Sequence, residues 1–132
     1  MPAQLSKEGI PFGTIIAFAG EPEMIPRGWL LCKGDPLDRR IYPKLFEAIG
    51  TIWGGSGTYG FYLPDLRGMF LRGVSMGTGV DPDAGDRESP RKGEANPGNQ
   101  KDNVGSIQPD AIAEHSHSYQ GHTSLGAEGH GG

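Results

Sequence analysis

Cysteine, surplus positive charge and long apolar runs are all scarce in this chain. Cys32 is the only cysteine among 132 residues, so an intrachain disulfide is ruled out. Its neighbours Leu30 and Leu31 mark the thiol as a buried packing group rather than a reactive one. No run of about eighteen apolar residues occurs, which excludes a membrane-spanning helix. The N-terminus has no basic segment followed by an apolar one, so no secretory signal peptide is expected. The formal charge of -4 and the sequence pI of about 5.5 lack the basic footprint of a dedicated nucleic-acid binder. Hydrophobic residues make up 35%, while the chain carries 23 glycines and 11 prolines, so the core must be small.

What apolar mass exists is concentrated. Ten of the eleven aromatic residues lie between Phe12 and Phe70, and the other is Tyr119. The length fits one domain, with its core in that half. A core confined to about sixty residues is marginal alone and leans on a metal, disulfides or partner chains. With disulfides excluded, a metal or oligomerisation is the expected reinforcement.

Residues 1–10 read as a polar arm. Pro11–Gly20 is rich in β-branched and aromatic residues and predicts a strand, covered in part on both faces at Ile15 and Ile16. A proline-containing loop follows, with a turn at Pro26–Gly28. Trp29–Cys32 predicts a second short strand, ended by the turn signal Lys33-Gly34-Asp35-Pro36. Tyr42, Leu45, Phe46 and Ile49 are spaced as one helical face, with Pro43 suited to the first turn and Gly50 to the position after the last. The stripe is expected to pack on the strands holding Ile16 and Trp29.

Residues 51–60 hold four glycines but lack the Gly-Lys-Ser/Thr ending and the following helix of a phosphate-binding loop. They run instead into a predicted strand at Tyr59–Leu63. Asp65 and Arg67 are close enough to pair locally around the Pro64–Gly68 turn. An acid with a catalytic arginine would need a base or nucleophile nearby, and none is in sequence reach. From Leu71 to Asp110 there is no aromatic, and twelve of the forty residues are charged. Asp81–Glu88 lacks the acidic spacing of a calcium-binding EF-hand and reads as a solvated loop. A stretch this long without regular structure is either disordered or ordered by wrapping around other chains. Val104–Gln108 hints at renewed order.

All four histidines lie after Ala113, at His115, His117, His122 and His130. In an extended chain His115 and His117 point to one face and can share a metal. Two nitrogens make an incomplete site, so the alternative is an exposed or hydrogen-bonded pair. Three chains around a threefold axis would bring six imidazoles, which suit first-row metals.

These landmarks together resemble the phage tail collar family. The likeness runs from Phe12 to Gly73, through Gly13–Gly20, Pro26–Gly34, Tyr42–Gly50 and Phe61–Gly73. It rests on Gly28, Trp29, Tyr42, Pro43, Leu45, Phe46, Pro64, Asp65, Arg67 and Gly68. The later order, Val104–Gln108, an acidic residue, then His115-Ser116-His117, is similar to the metal-binding distal region of tail fibres. The resemblance implies an α+β fold: a small collar domain of short strands around one helix at 11–73. A Gly/Pro-rich, loop-dominated segment at 74–110, ordered by trimerisation, and a histidine-containing distal segment at 111–132 would follow.

It further implies a homotrimeric, non-enzymatic tail-fibre component of a phage or phage-tail-like particle. An iron or zinc ion would be held on the threefold axis by His115 and His117 of three chains. Its partners would be other tail or baseplate proteins and a bacterial surface receptor, lipopolysaccharide or an outer-membrane component, with no nucleic acid and no membrane span. Two other functions stay open: a tail-tip or plug protein without receptor contact, and a polysaccharide depolymerase. The latter needs two carboxylates flanking a cleft, for which Asp65, Asp81 and Glu88 are the candidates, most of them in loops without an aromatic platform.

Overall fold

A computed structural model of the chain describes residues 9–109. They form a small α+β unit with one helix and one open three-stranded sheet. Strand β1 (Pro36–Asp38), strand β2 (Gly55–Ser56) and strand β3 (Gly60–Tyr62) are antiparallel and lie in the order β1-β3-β2. In the register, Leu37 of β1 and Gly55 of β2 both stand opposite Phe61, so Phe61 is the centre of the sheet. Helix α1 spans Pro43–Ile49.

The helix forms where the sequence places it. Pro43 opens it, where a missing N–H costs nothing. Gly50 ends it at φ +48° and ψ −136°, its N–H donating to the Phe46 carbonyl at 2.7 Å. Tyr42, Leu45, Phe46 and Ile49 are half-buried, while Pro43, Lys44, Glu47 and Ala48 are exposed. The stripe does not meet strands holding Ile16 and Trp29, however. Phe46 instead meets Phe61 edge-on, with ring centroids 5.2 Å apart, so the helix lies on the sheet through β3. At its other end Gly13 comes so close to Ile49 and Ala48 that an added Cβ would stand 3.0 and 3.3 Å from their side chains.

Two predicted strands are not formed. Within Pro11–Gly20 the chain makes a turn, with the Thr14 N–H and hydroxyl both donating to the Pro11 carbonyl, and then runs irregularly. Far from being covered on both faces, Ile16 is 56% exposed and Phe18 46%. Trp29–Cys32 is irregular too, and pairing begins only at Lys33, which bridges to Asp65. Composition marks both stretches as extended, but a strand needs a paired neighbour, and local sequence does not supply one. The third expectation holds: β3 lies inside Tyr59–Leu63. Part of the predicted glycine loop is the edge strand β2, and the predicted turn at Lys33–Pro36 runs into the first residue of β1, an edge position that tolerates proline.

The segment after Leu71 carries more structure than its composition suggests. Glu88 and Ile107 exchange two backbone hydrogen bonds of 2.7 Å. The Asp102 carboxylate accepts from the Ser75 and Gly77 amides at 2.6 and 3.2 Å. Residues 90–105 also lie against residues 51–55. The Gly55 N–H donates to Asn96 and the Asn99 N–H to Ile52. This approach depends on small residues. A Cβ at Gly98, where φ is +88°, would stand 2.5 Å from the Ile52 carbonyl oxygen.

The core remains very small. Among the described residues the buried apolar side chains are Phe61, Leu63, Pro64 and Ala84. Cys32, expected to be buried, is half-buried, and that burial raises its thiol pKa, away from reactivity.

Candidate functional site

The residues quoted for the collar resemblance build one structural clasp. Pro26–Trp29 is a turn with Gly28 at φ +88°, closed by the Trp29 N–H donating to the Pro26 carbonyl at 3.3 Å. It delivers a half-buried Trp29 and then Lys33-Gly34, which lie against Pro64-Asp65. The Gly34 N–H donates to the Pro64 carbonyl at 3.0 Å, and the Leu66 N–H donates to the Cys32 carbonyl at 2.9 Å. Gly34 has φ +80°, and a Cβ there would stand 3.1 Å from that of Asp65. Two motifs thirty residues apart in sequence are thus one joint in space.

Asp65 and Arg67 hold the far side of this joint. The Arg67 guanidinium donates Nε to Oδ1 at 2.8 Å and Nη2 to Oδ2 at 2.7 Å, a two-pronged pair. That hydrogen bonding lowers the Asp65 pKa, so the carboxylate is occupied and ionised rather than poised as an acid. Gly68, at φ +70°, completes the turn, and the Met69 N–H donates to the Leu66 carbonyl at 3.0 Å. Tyr42, Pro43, Leu45 and Phe46 belong to the helix start and its inner stripe, already accounted for. The motif is architectural. Asp38 acts similarly before the helix: its carbonyl accepts from the Tyr42 N–H, and its carboxylate, bonded by Arg40, has its pKa lowered to about 2.

A second ionic cluster lies in the segment that reads as solvated. Asp81 and Arg87 are 8% and 6% exposed, so that expectation is overturned. Arg87 Nη2 donates to Asp81 Oδ2, and Arg72 Nη2 stands 3.1 Å from Oδ1. Arg72 also donates to the Gln108 side-chain oxygen at 3.2 Å, tying residues 72, 81, 87 and 108 together. Burial alone would raise the Asp81 pKa. The Arg87 hydrogen bond, the Asp83 amide and the nearby guanidinium charges outweigh it, and the net shift is downward. Nothing in the sequence pattern singles out this group, because charged residues between glycines and prolines read as surface. Asp65, Asp81 and Glu88 are each paired with a cation, which leaves none as a free carboxylate for sugar hydrolysis.

Two surface features remain. One is a cleft of about 160 Å³ where the clasp meets the later segment, walled by Trp53, Leu63, Met69, Pro90 and Ile107 and lined as well by the charged Asp65, Arg67 and Arg91. The other is a set of large apolar side chains left in solvent. Phe70 is 99% exposed, Val80 84%, Met76 83% and Leu71 67%. Sequence reasoning placed Phe70 in the core half, and its exposure was not foreseen.

The paired histidines His115 and His117 lie outside the described residues, as do His122 and His130. Among the described residues no group of three or more His, Cys, Asp or Glu could hold a metal ion, and no helix is long and apolar enough to cross a membrane.

Comparison with known proteins gives a consistent result. The family model for the Phage Tail Collar Domain matches residues 13–71. The chain is 40% identical to Protein RhiB of Rhizobium leguminosarum bv. viciae over 76% of its own length and 45% of RhiB. It is 41% identical to the putative uncharacterized protein StfE of Escherichia coli K12 over 42% of its length and 26% of that protein. It is 29% identical to the short tail fiber protein gp12 of Enterobacteria phage T4 over 91% of its length and 23% of gp12. The chain thus spans less than half the length of each of these curated relatives. No solved structure matches it.

Proposed function

The chain belongs to the phage tail collar domain family through residues 13–71, and from that premise we propose that it is a homotrimeric tail-fibre component of a phage or phage-tail-like particle that attaches to a bacterial surface. The family and the tail-fibre relative point to a structural, non-enzymatic protein. The observation that carries the trimer is the imbalance of apolar surface. Among the described residues only Phe61, Leu63, Pro64 and Ala84 bury an apolar side chain, while fifteen large apolar side chains are at least about a third exposed. Burial of apolar area is the main favourable term in folding and association, so this surface favours association with further copies. Closed rotational symmetry is the usual way such a surface is satisfied.

His115 and His117 of three chains would then hold one iron or zinc ion on the axis. Ligands gathered only in the assembled state add stability to it, because the unfolded chain lacks the site. Receptor contact falls to exposed loops carried on the rigid clasp, with residues 51–60 and 81–103 as the candidates.

The attachment role is tested by incubating labelled protein with a panel of Gram-negative strains. Saturable binding to some strains, competed by their purified lipopolysaccharide or outer-membrane fraction, is the expected result. A trimer that binds no strain would instead favour a tail-tip or plug protein without receptor contact.

A further inference from the structure

We propose that the cleft walled by Trp53, Leu63, Met69 and Ile107 is the seat for the Phe70 ring of a second copy of this chain. The inference rests on the trimer proposed above and names the contact that joins its subunits.

The first ground is size. The cleft measures about 160 Å³. A space of about 150 Å³ lined by apolar side chains accommodates a benzene ring. The second is chemistry. Leu63 is buried and Trp53, Pro90 and Ile107 are half-buried, so the apolar part of the wall is held in place, beside a charged part formed by Asp65, Arg67 and Arg91. Met69 contributes a thioether, which makes favourable contacts with aromatic rings. Arg67 and Arg91 also line the cleft, each already paired, Arg67 with Asp65 and Arg91 with Glu94. Arg91 is also stacked on Tyr62, with its guanidinium carbon 3.5 Å from the ring centre, so the aromatic contact the cleft offers is that of Met69. An aliphatic side chain would fill the space but forgo the thioether contact.

The third ground is the supply of a ring. Phe70 is 99% exposed, so it contacts almost nothing of its own chain, its own cleft included. Met69, the preceding residue, lines that cleft, so the projecting ring starts from the backbone right beside it. When neighbouring features of identical chains engage each other in turn, the ring of contacts closes only near the symmetry axis. The contact therefore places Phe70 close to the axis, with Leu71, 67% exposed, beside it.

The test uses the full-length chain with p-benzoylphenylalanine in place of Phe70, irradiated and mapped by tandem mass spectrometry. Covalent dimers and trimers joined from position 70 to Met69, Ile107 or Trp53 are expected. Phe70→Ala is expected to raise the dissociation constant of the assembly about tenfold or more, the scale of one large apolar side chain. Phe70→Leu should restore only part of the loss, because it lacks the ring. Cross-links mapping elsewhere, or a Phe70→Ala assembly as tight as the parent, would overturn this contact while leaving the trimer intact. A parent chain that is monomeric at every concentration would overturn the trimer itself, and this contact with it.

Discussion

Phe61→Ala is expected to destabilise the folded chain by about 3–5 kcal/mol, the usual range for a buried phenylalanine cut back to alanine. Phe61 is fully buried, stands opposite both Leu37 and Gly55 in the sheet, and receives the edge of Phe46 from the helix. Its removal opens a cavity where helix and both sheet pairings meet. The other buried apolar side chains among the described residues are only Leu63, Pro64 and Ala84, so little else can close the gap. Domains of this size are stable by about 5–15 kcal/mol, so much of the total is at stake. In a thermal melt followed by circular dichroism, the midpoint should fall by at least about 12 °C or the cooperative transition should vanish. Phe61→Leu should lose markedly less. A Phe61→Ala melt within a few degrees of the parent would mean that helix and sheet are not held together at this ring.

The second large effect belongs to Arg87. Arg87→Met keeps much of the side-chain volume but leaves the buried Asp81 carboxylate with Arg72 as its remaining cation, and Arg72 is half-exposed. Breaking such a pair by removing one partner is destabilising because it leaves the other charge uncompensated, and the retained Arg72 contact moderates the loss without cancelling it. Chemical denaturation measures it. The pH dependence has a definite sign. The Asp81 pKa is lowered in the fold, so the stability it provides is complete above the unfolded carboxyl value of about 3.9 and is lost as pH falls through the lower folded value. In Arg87→Met that acid-dependent loss should shrink. An unchanged denaturation curve would show that the cluster contributes nothing to holding residues 72–108 together.

How much of this was legible in the sequence depends on where each element's partners lie. The helix was legible because its signals are local: Pro43 before, Gly50 after, and an apolar face at helical spacing between them. The Asp65–Arg67 pair was legible for the same reason. Pro11–Gly20 was misread because strand pairing depends on a distant neighbour, and its β-branched residues describe only a preference. No local signal marks β1, because Pro36 ends the Lys33–Pro36 turn signal and the residues after it become a strand only by lying against β3. Charge patterning hid the Asp81–Arg87 pair, since two charges six residues apart look solvated until the chain folds them inward together. Gly98 and Asn96 carry no local sign that they face residues 52–55.

The measurement that bears most directly on the account is native mass spectrometry of untagged protein never exposed to a metal column. A homotrimer with the axial metal gives a species three times the 14.1 kDa chain, carrying one iron or zinc ion that disappears in His115→Ala. A single-chain mass at all concentrations would contradict it, since the exposed apolar surface would then have no second copy to meet.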